Sequence, residues 1–109
     1  MKNTNHYRQG DVLIERIARL PEQRKKVARE NGRVILAHGE VTGHAHAIAE
    51  KGADLFESQN NPGVTFLEIR DALVALRHDE HATVTLEAGT YQVTRQREYS
   101  PEEIRRVAD

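Results

Sequence analysis

The apolar residues of this chain come in short runs rich in Val, Ile and Thr, broken by Gly and Pro. Val12-Leu13-Ile14, Val34-Ile35-Leu36, Val64-Thr65-Phe66-Leu67 and Thr83-Val84-Thr85-Leu86 are examples. Each run is long enough for one strand and too short for a helix with a continuous apolar face. A chain patterned this way closes its core only by pairing many strands. The expected fold is therefore mainly β, a small barrel or sandwich.

Taken in order, residues 1–10 read as a polar lead-in. Gly10-Asp11 opens a strand over 12–17, ended by Leu20-Pro21. Residues 22–31 carry many charges and only Val27 and Ala28 as apolar residues, so they read as a mobile charged loop. Their basic trio Arg24, Lys25 and Lys26 suits a solvated face better than a phosphate site. Further strands are expected over 33–38, 44–50, 53–57 and 64–70. The last continues through 72–77, where a helical turn is the alternative. Strands over 82–86 and 90–99 flank Glu87-Ala88-Gly89, which predicts a hairpin turned at Gly89. Ser100-Pro101-Glu102-Glu103 combines an N-cap, a Pro at the first helical position and a capping carboxylate, and predicts a short C-terminal helix over 100–108.

Composition narrows the function classes. With 16 basic and 17 acidic residues among 109, the chain has no overall charge bias toward nucleic acid. It has no Cys, which excludes disulfides, thiolate metal sites and cysteine nucleophiles. No apolar segment follows Met1-Lys2-Asn3 as in a secretory signal, and none approaches the roughly 18 residues of a membrane span. A cytoplasmic protein is the expectation. Hydrophobic residues are 38% and charged residues 30%, which predicts a thin core and a homo-oligomer that completes it.

Five of the six histidines fall in two clusters, His38/His44/His46 and His78/His81. On a strand, His44 and His46 project to one face. His38 and Glu50 flank them, and His78-x2-His81 supplies more imidazoles. Imidazole with carboxylate is a donor set for Zn, Ni, Mn or Fe. The plain alternative is a pair of surface histidines on a half-exposed strand. Asp79 and Glu80 read as turn residues, or as groups that orient an imidazole. A second candidate surface is Arg95, Arg97 and Tyr99, which share a face of the last strand with Tyr91 and Val93. It suits a carboxylate, a phosphate or single-stranded nucleic acid, or else a cross-strand ion-pair ladder.

Gly39-x4-His44-x-His46-x3-Glu50 resembles the first metal motif of the cupins. The match covers about a tenth of the chain, with the Gly spacer one residue short and no second motif around His78 or His81. The resemblance implies a cupin-like jelly roll in which His44, His46 and Glu50 are metal ligands and His81 or His78 completes the set. Gly10-Asp11-Val12-Leu13 ahead of a charged segment is similar to the start of the co-chaperonin barrel, which implies an oligomeric barrel without catalysis. The ending from Arg95 to Arg106 resembles small bacterial and phage proteins, which implies no function.

Two functions follow as expectations. The first is a divalent-metal-binding β protein, with any catalysis being metal-assisted chemistry on a small molecule. The second is a non-catalytic oligomeric module that uses Arg95, Arg97 and Tyr99 for a protein or nucleic-acid partner.

Overall fold

The computed structural model describes residues 5–39, 44–60 and 63–95, with the side chain of Ala72 excepted. The expected helix over 100–108 lies outside them. Among the described residues there are eight strands and no helix. They are β1 (His6–Gln9), β2 (Val12–Arg16), β3 (Arg24–Val27), β4 (Val34–His38), β5 (Ala45–Ile48), β6 (Ala53–Ser58), β7 (Thr65–Arg77) and β8 (Val84–Arg95). All pairings are antiparallel. One path through the sheet runs β1-β2-β8-β7-β5-β4, and β6 joins β3 to the first half of β7. The sheet curls into a half-barrel.

The buried apolar side chains form one cluster. Val12, Ile14, Val34, Leu36, Leu55, Leu67, Val74, Leu76, Leu86 and Val93 alternate with more exposed neighbours, as period-2 patterning requires.

The frame of the fold is the β7–β8 ribbon, whose two strands bend together at midpoint. The register slips between Ile69 and Leu73, so a stretch of β7 bulges opposite Glu87 to Gly89. Buried positions run Leu67 and Ile69 before the bulge, then Val74 and Leu76 after it. On β8 they run Leu86, then Tyr91 and Val93. Both strands therefore exchange faces across the bend. Gly89 has φ +153°, which L side chains rarely adopt, and a Cβ there would lie 2.2 Å from Nη1 of Arg16 and push the guanidinium off the bend. The bend is clamped by Tyr91, which is fully buried. Its hydroxyl donates to the Glu87 carbonyl at 2.6 Å and accepts from Arg16 Nη2 at 3.0 Å. Arg16 also donates to the Ala88 carbonyl at 3.2 Å and pairs with Glu87. Tyr7 packs edge-on against Tyr91, with ring centroids 5.8 Å apart.

Three expectations are corrected here. Within the expected lead-in over 1–10, His6–Gln9 is a strand: β1 pairs with β2 through a two-residue turn, with Gly10 at φ +60° in its first position. The charged segment 22–31 is not a free loop, because Arg24–Val27 pairs with β6. Its charges blunt an edge strand that would otherwise offer bare backbone to another sheet. Glu87-Ala88-Gly89 is not a hairpin turn. The glycine and the face switch mark the bend inside one continuous β8, and the hairpin lies one loop earlier, between β7 and β8 at residues 78–83.

Candidate functional site

Bending β8 has a consequence for chemistry. Twelve residues of straight strand would put the two ends almost 40 Å apart. Here His81, just before β8, and Arg95, at its end, line the same cleft of about 300 Å³. The cleft also takes Gly10 and Asp11 from the β1–β2 turn, Gly39 and His44 from the β4–β5 connection, His46 from β5, and His78 and Glu80 from the β7–β8 connection.

Four imidazoles converge there. His78 is central, with ring centroids 4.3 Å from His46, 4.7 Å from His81 and 5.7 Å from His44. His46 and His81 lie 5.9 Å apart and nearly parallel. The Gly39 amide donates to the His44 carbonyl at 2.8 Å, fixing where the chain re-enters β5. A bulge in β4 between Ile35 and Ala37 then sets the register that places His46.

His46 is the most constrained of the four, only 2% exposed. Its Nδ1 lies 2.8 Å from Oε1 of Gln9. The Gln9 amide nitrogen donates to the carbonyls of Leu76 and Ala82, both at 2.9 Å. Two carbonyl acceptors fix which end of the Gln9 amide is nitrogen, so Oε1 must face His46. Nδ1 of His46 therefore carries the hydrogen and donates it, and Nε2 is left with its lone pair. That lone pair faces Asp11 Oδ1 at 3.7 Å, beyond hydrogen-bond reach.

Protonating Nε2 would turn this into an ion pair, but burial, followed by the neighbouring His78 charge, outweighs Asp11 and pushes the His46 pKa down to about 4. Burial alone would raise the Asp11 carboxyl. The hydrogen bond and charge of Arg95 outweigh it and hold Asp11 below the usual carboxylate value. At neutral pH a lone pair and a carboxylate thus face each other across a short gap with no proton between them.

The other rings are set differently. His78 Nδ1 accepts the backbone N–H of Glu80 at 3.0 Å, so its ligating lone pair is already in use. His44 lies 3.7 Å from Glu80 Oε2 and 3.9 Å from Asp79 Oδ2, so both acids face an imidazole instead of only shaping a turn. Gly10 suits its φ of +60°, and a Cβ there would lie 2.7 Å from His81 Nε2 and push that ring aside. As placed, no three His, Asp or Glu side chains among the described residues surround one point at metal-ligand geometry.

Of the sequence candidates, the structure brings together His44, His46, His78 and His81. It does not bring in His38 or Glu50. His38 is exposed and pairs with Glu30 at 3.2 Å. Glu50 accepts the Ala75 amide at 3.3 Å, and its carbonyl takes Arg29 Nη2 at 2.7 Å. Arg95 is not on an open face. Its Nε donates to Asp11 Oδ2 at 3.0 Å inside the cleft. Arg97 and Tyr99 lie outside the described residues. Gln9 and Asp11 were missed by sequence reasoning. Their one signal was Gly10-Asp11 as a two-residue turn, which would have joined β1 to β2 and carried both toward the histidines.

No helix among the described residues is long and apolar enough to cross a membrane. No curated protein and no solved structure matches the chain. A family model matches residues 8–96, a span that starts within β1 and runs past β8 and so contains every cleft residue named above. The chain belongs to the family described as Domain of unknown function (DUF8820).

Proposed function

We propose that the cleft binds one divalent transition metal, with His46 Nε2 as the anchoring ligand and His44, His81 and Asp11 as its partners. The observation that carries this reading is the Gln9–His46 bond. An imidazole held through Nδ1–H by a buried amide, with Nε2 free toward a carboxylate, is the arrangement that orients a metal-bound histidine. A cation between Nε2 and Oδ1 of Asp11 would give the buried His46 lone pair a partner and join it to a half-buried carboxylate whose other oxygen is held by Arg95. Nitrogen donors with one carboxylate and no thiolate suit Zn, Ni, Mn or Fe.

Binding on this reading requires the rings to rotate out of their mutual stacking. His78 joins the set only if it releases the Glu80 amide. Glu80 and Asp79 at the rim then serve to hold His44. A bound metal with an open position supplies a water whose pKa falls toward neutral, and so a nucleophile for a small molecule in the cleft.

The test is elemental analysis of tag-free protein purified without chelator, followed by calorimetric titration with Zn, Ni, Mn and Fe. The expected outcome is about one metal per chain, lost in the His44→Ala/His46→Ala double variant while its spectrum of strands is retained. Failure to retain any of the four ions at micromolar affinity refutes the reading.

A further inference from the structure

We propose that the cleft accepts a small monocarboxylate, held by the terminal nitrogens of Arg95, with its other end against the histidine wall. The proposal rests on the metal reading for what the far end meets and for the charge balance that favours a monoanion, and not for the Arg95 contact.

Arg95 is one of the residues lining the cleft, and its side chain is only 25% exposed. Its Nε is occupied by Asp11 Oδ2 at 3.0 Å. Among the described residues, Nη1 and Nη2 meet no acceptor. They form the flat end of the guanidinium fork, whose spacing matches the two oxygens of a carboxylate. Asp11 holds the guanidinium in place before any ligand arrives, so little side-chain freedom is lost on binding.

Charge selects among anions. Among the described residues, the charged ones lining the cleft are Asp11, Glu80 and Arg95. Counting the imidazoles as neutral, two acids oppose one base. A divalent ion reverses that balance to a single excess positive charge, which one carboxylate neutralises and a phosphate dianion overshoots. Size selects as well. At about 300 Å³ the cleft stands at the small end of ligand pockets. Asp11 links the two halves of the cleft, with one oxygen on Arg95 and the other facing His46. A carboxylic acid that spans them would place its reactive end beside the metal position.

The experiment is a chemical-shift titration of the isotope-labelled full chain with propionate, against matched chloride, in Zn-loaded and metal-free protein. Inorganic phosphate forms a second arm. The expected result is a saturable shift of the Gly10, Asp11 and Arg95 signals, tighter for the Zn-loaded protein. Arg95→Gln should abolish it and Arg95→Lys should weaken it about tenfold, since the charge stays and the fork is lost. Zn binding is read separately by calorimetry. If Zn does not bind but propionate still saturates at Arg95, the anion contact stands and the metal reading falls. Equal shifts in Arg95→Gln, no saturation at millimolar propionate, or tighter binding of phosphate would each overturn the proposal.

Discussion

Burying His46 as a neutral imidazole has a measurable cost in acid. The unfolded chain takes up a proton on this residue near the ordinary value of 6.5, whereas the folded chain resists until about 4. Between those values the unfolded state binds more protons, so stability rises with pH across the window and falls on acidification through it. The penalty is absent above 6.5 and complete below 4. At about 1.4 kcal/mol per pKa unit, a difference of this size removes about 3 kcal/mol. That is a large share of the 5–15 kcal/mol typical of a small domain. The carboxylates act elsewhere. Asp11 and Asp54 are held below their usual 3.8, so the stability they contribute is lost only as pH drops beneath that value. Urea unfolding of metal-free protein between pH 7 and pH 4 isolates the histidine. His46→Gln, which has no titrating group there, provides the reference. Wild type should lose about 3 kcal/mol more than the variant over this range. Parallel curves would refute the buried, neutral assignment and with it the free Nε2 lone pair.

Two further substitutions probe how the site is held. Gln9→Leu leaves the Leu76 and Ala82 carbonyls and His46 Nδ1 without their partner, and should cost about 2–3 kcal/mol in a thermal melt. If Gln9 orients His46, the same change should weaken Zn affinity about 10- to 100-fold in a competition titration, whereas a purely structural role would move only the melt. Tyr91→Phe removes the donor to Glu87 and the acceptor for Arg16 at the bend of β8, and should destabilise by about 1–2 kcal/mol in urea unfolding.

Much of the fold was legible because period-2 patterning survives burial on one face. Val12/Ile14, Val34/Leu36 and Ala53/Leu55 point inward as their alternation implies. Two signals misled. Glu87-Ala88-Gly89 has the composition of a turn, yet a bulged strand bend needs the same glycine, and only the pairing with Ile69 and Leu73 separates the two. Arg24–Val27 has too little apolar content to announce a strand. It pairs through backbone groups to Leu55–Ser58, a long-range choice that no local pattern encodes. In the site, clustering of histidines pointed to four of the residues that meet. Glu50 sat at an attractive spacing, but β5 ends at Ile48, so its carboxylate turns to the Ala75 amide instead. Gln9 was illegible because an amide that fixes a tautomer has no sequence signature of its own.

The placement of the cleft follows from the bend more than from any single strand. A flat β7–β8 ribbon would leave His78 and His81 far from Arg95, and the β1–β2 turn could reach only one of them. Curling the ribbon at Gly89 lets Gln9 donate to Leu76 and Ala82 near one end of β8 while Asp11 holds Arg95 at the other. The turn between β1 and β2 thus bridges the two ends of the same strand. Gly10 allows it to do so through its φ of +60°, and a side chain there would also displace the His81 ring. Polar groups on this turn satisfy buried acceptors, and the same groups set the tautomer of His46 and the position of Arg95. Stability and the proposed binding chemistry therefore share residues here. Loosening Gln9 or Gly10 should cost both together, whereas replacing Arg95 should cost ligand affinity with the sheet intact.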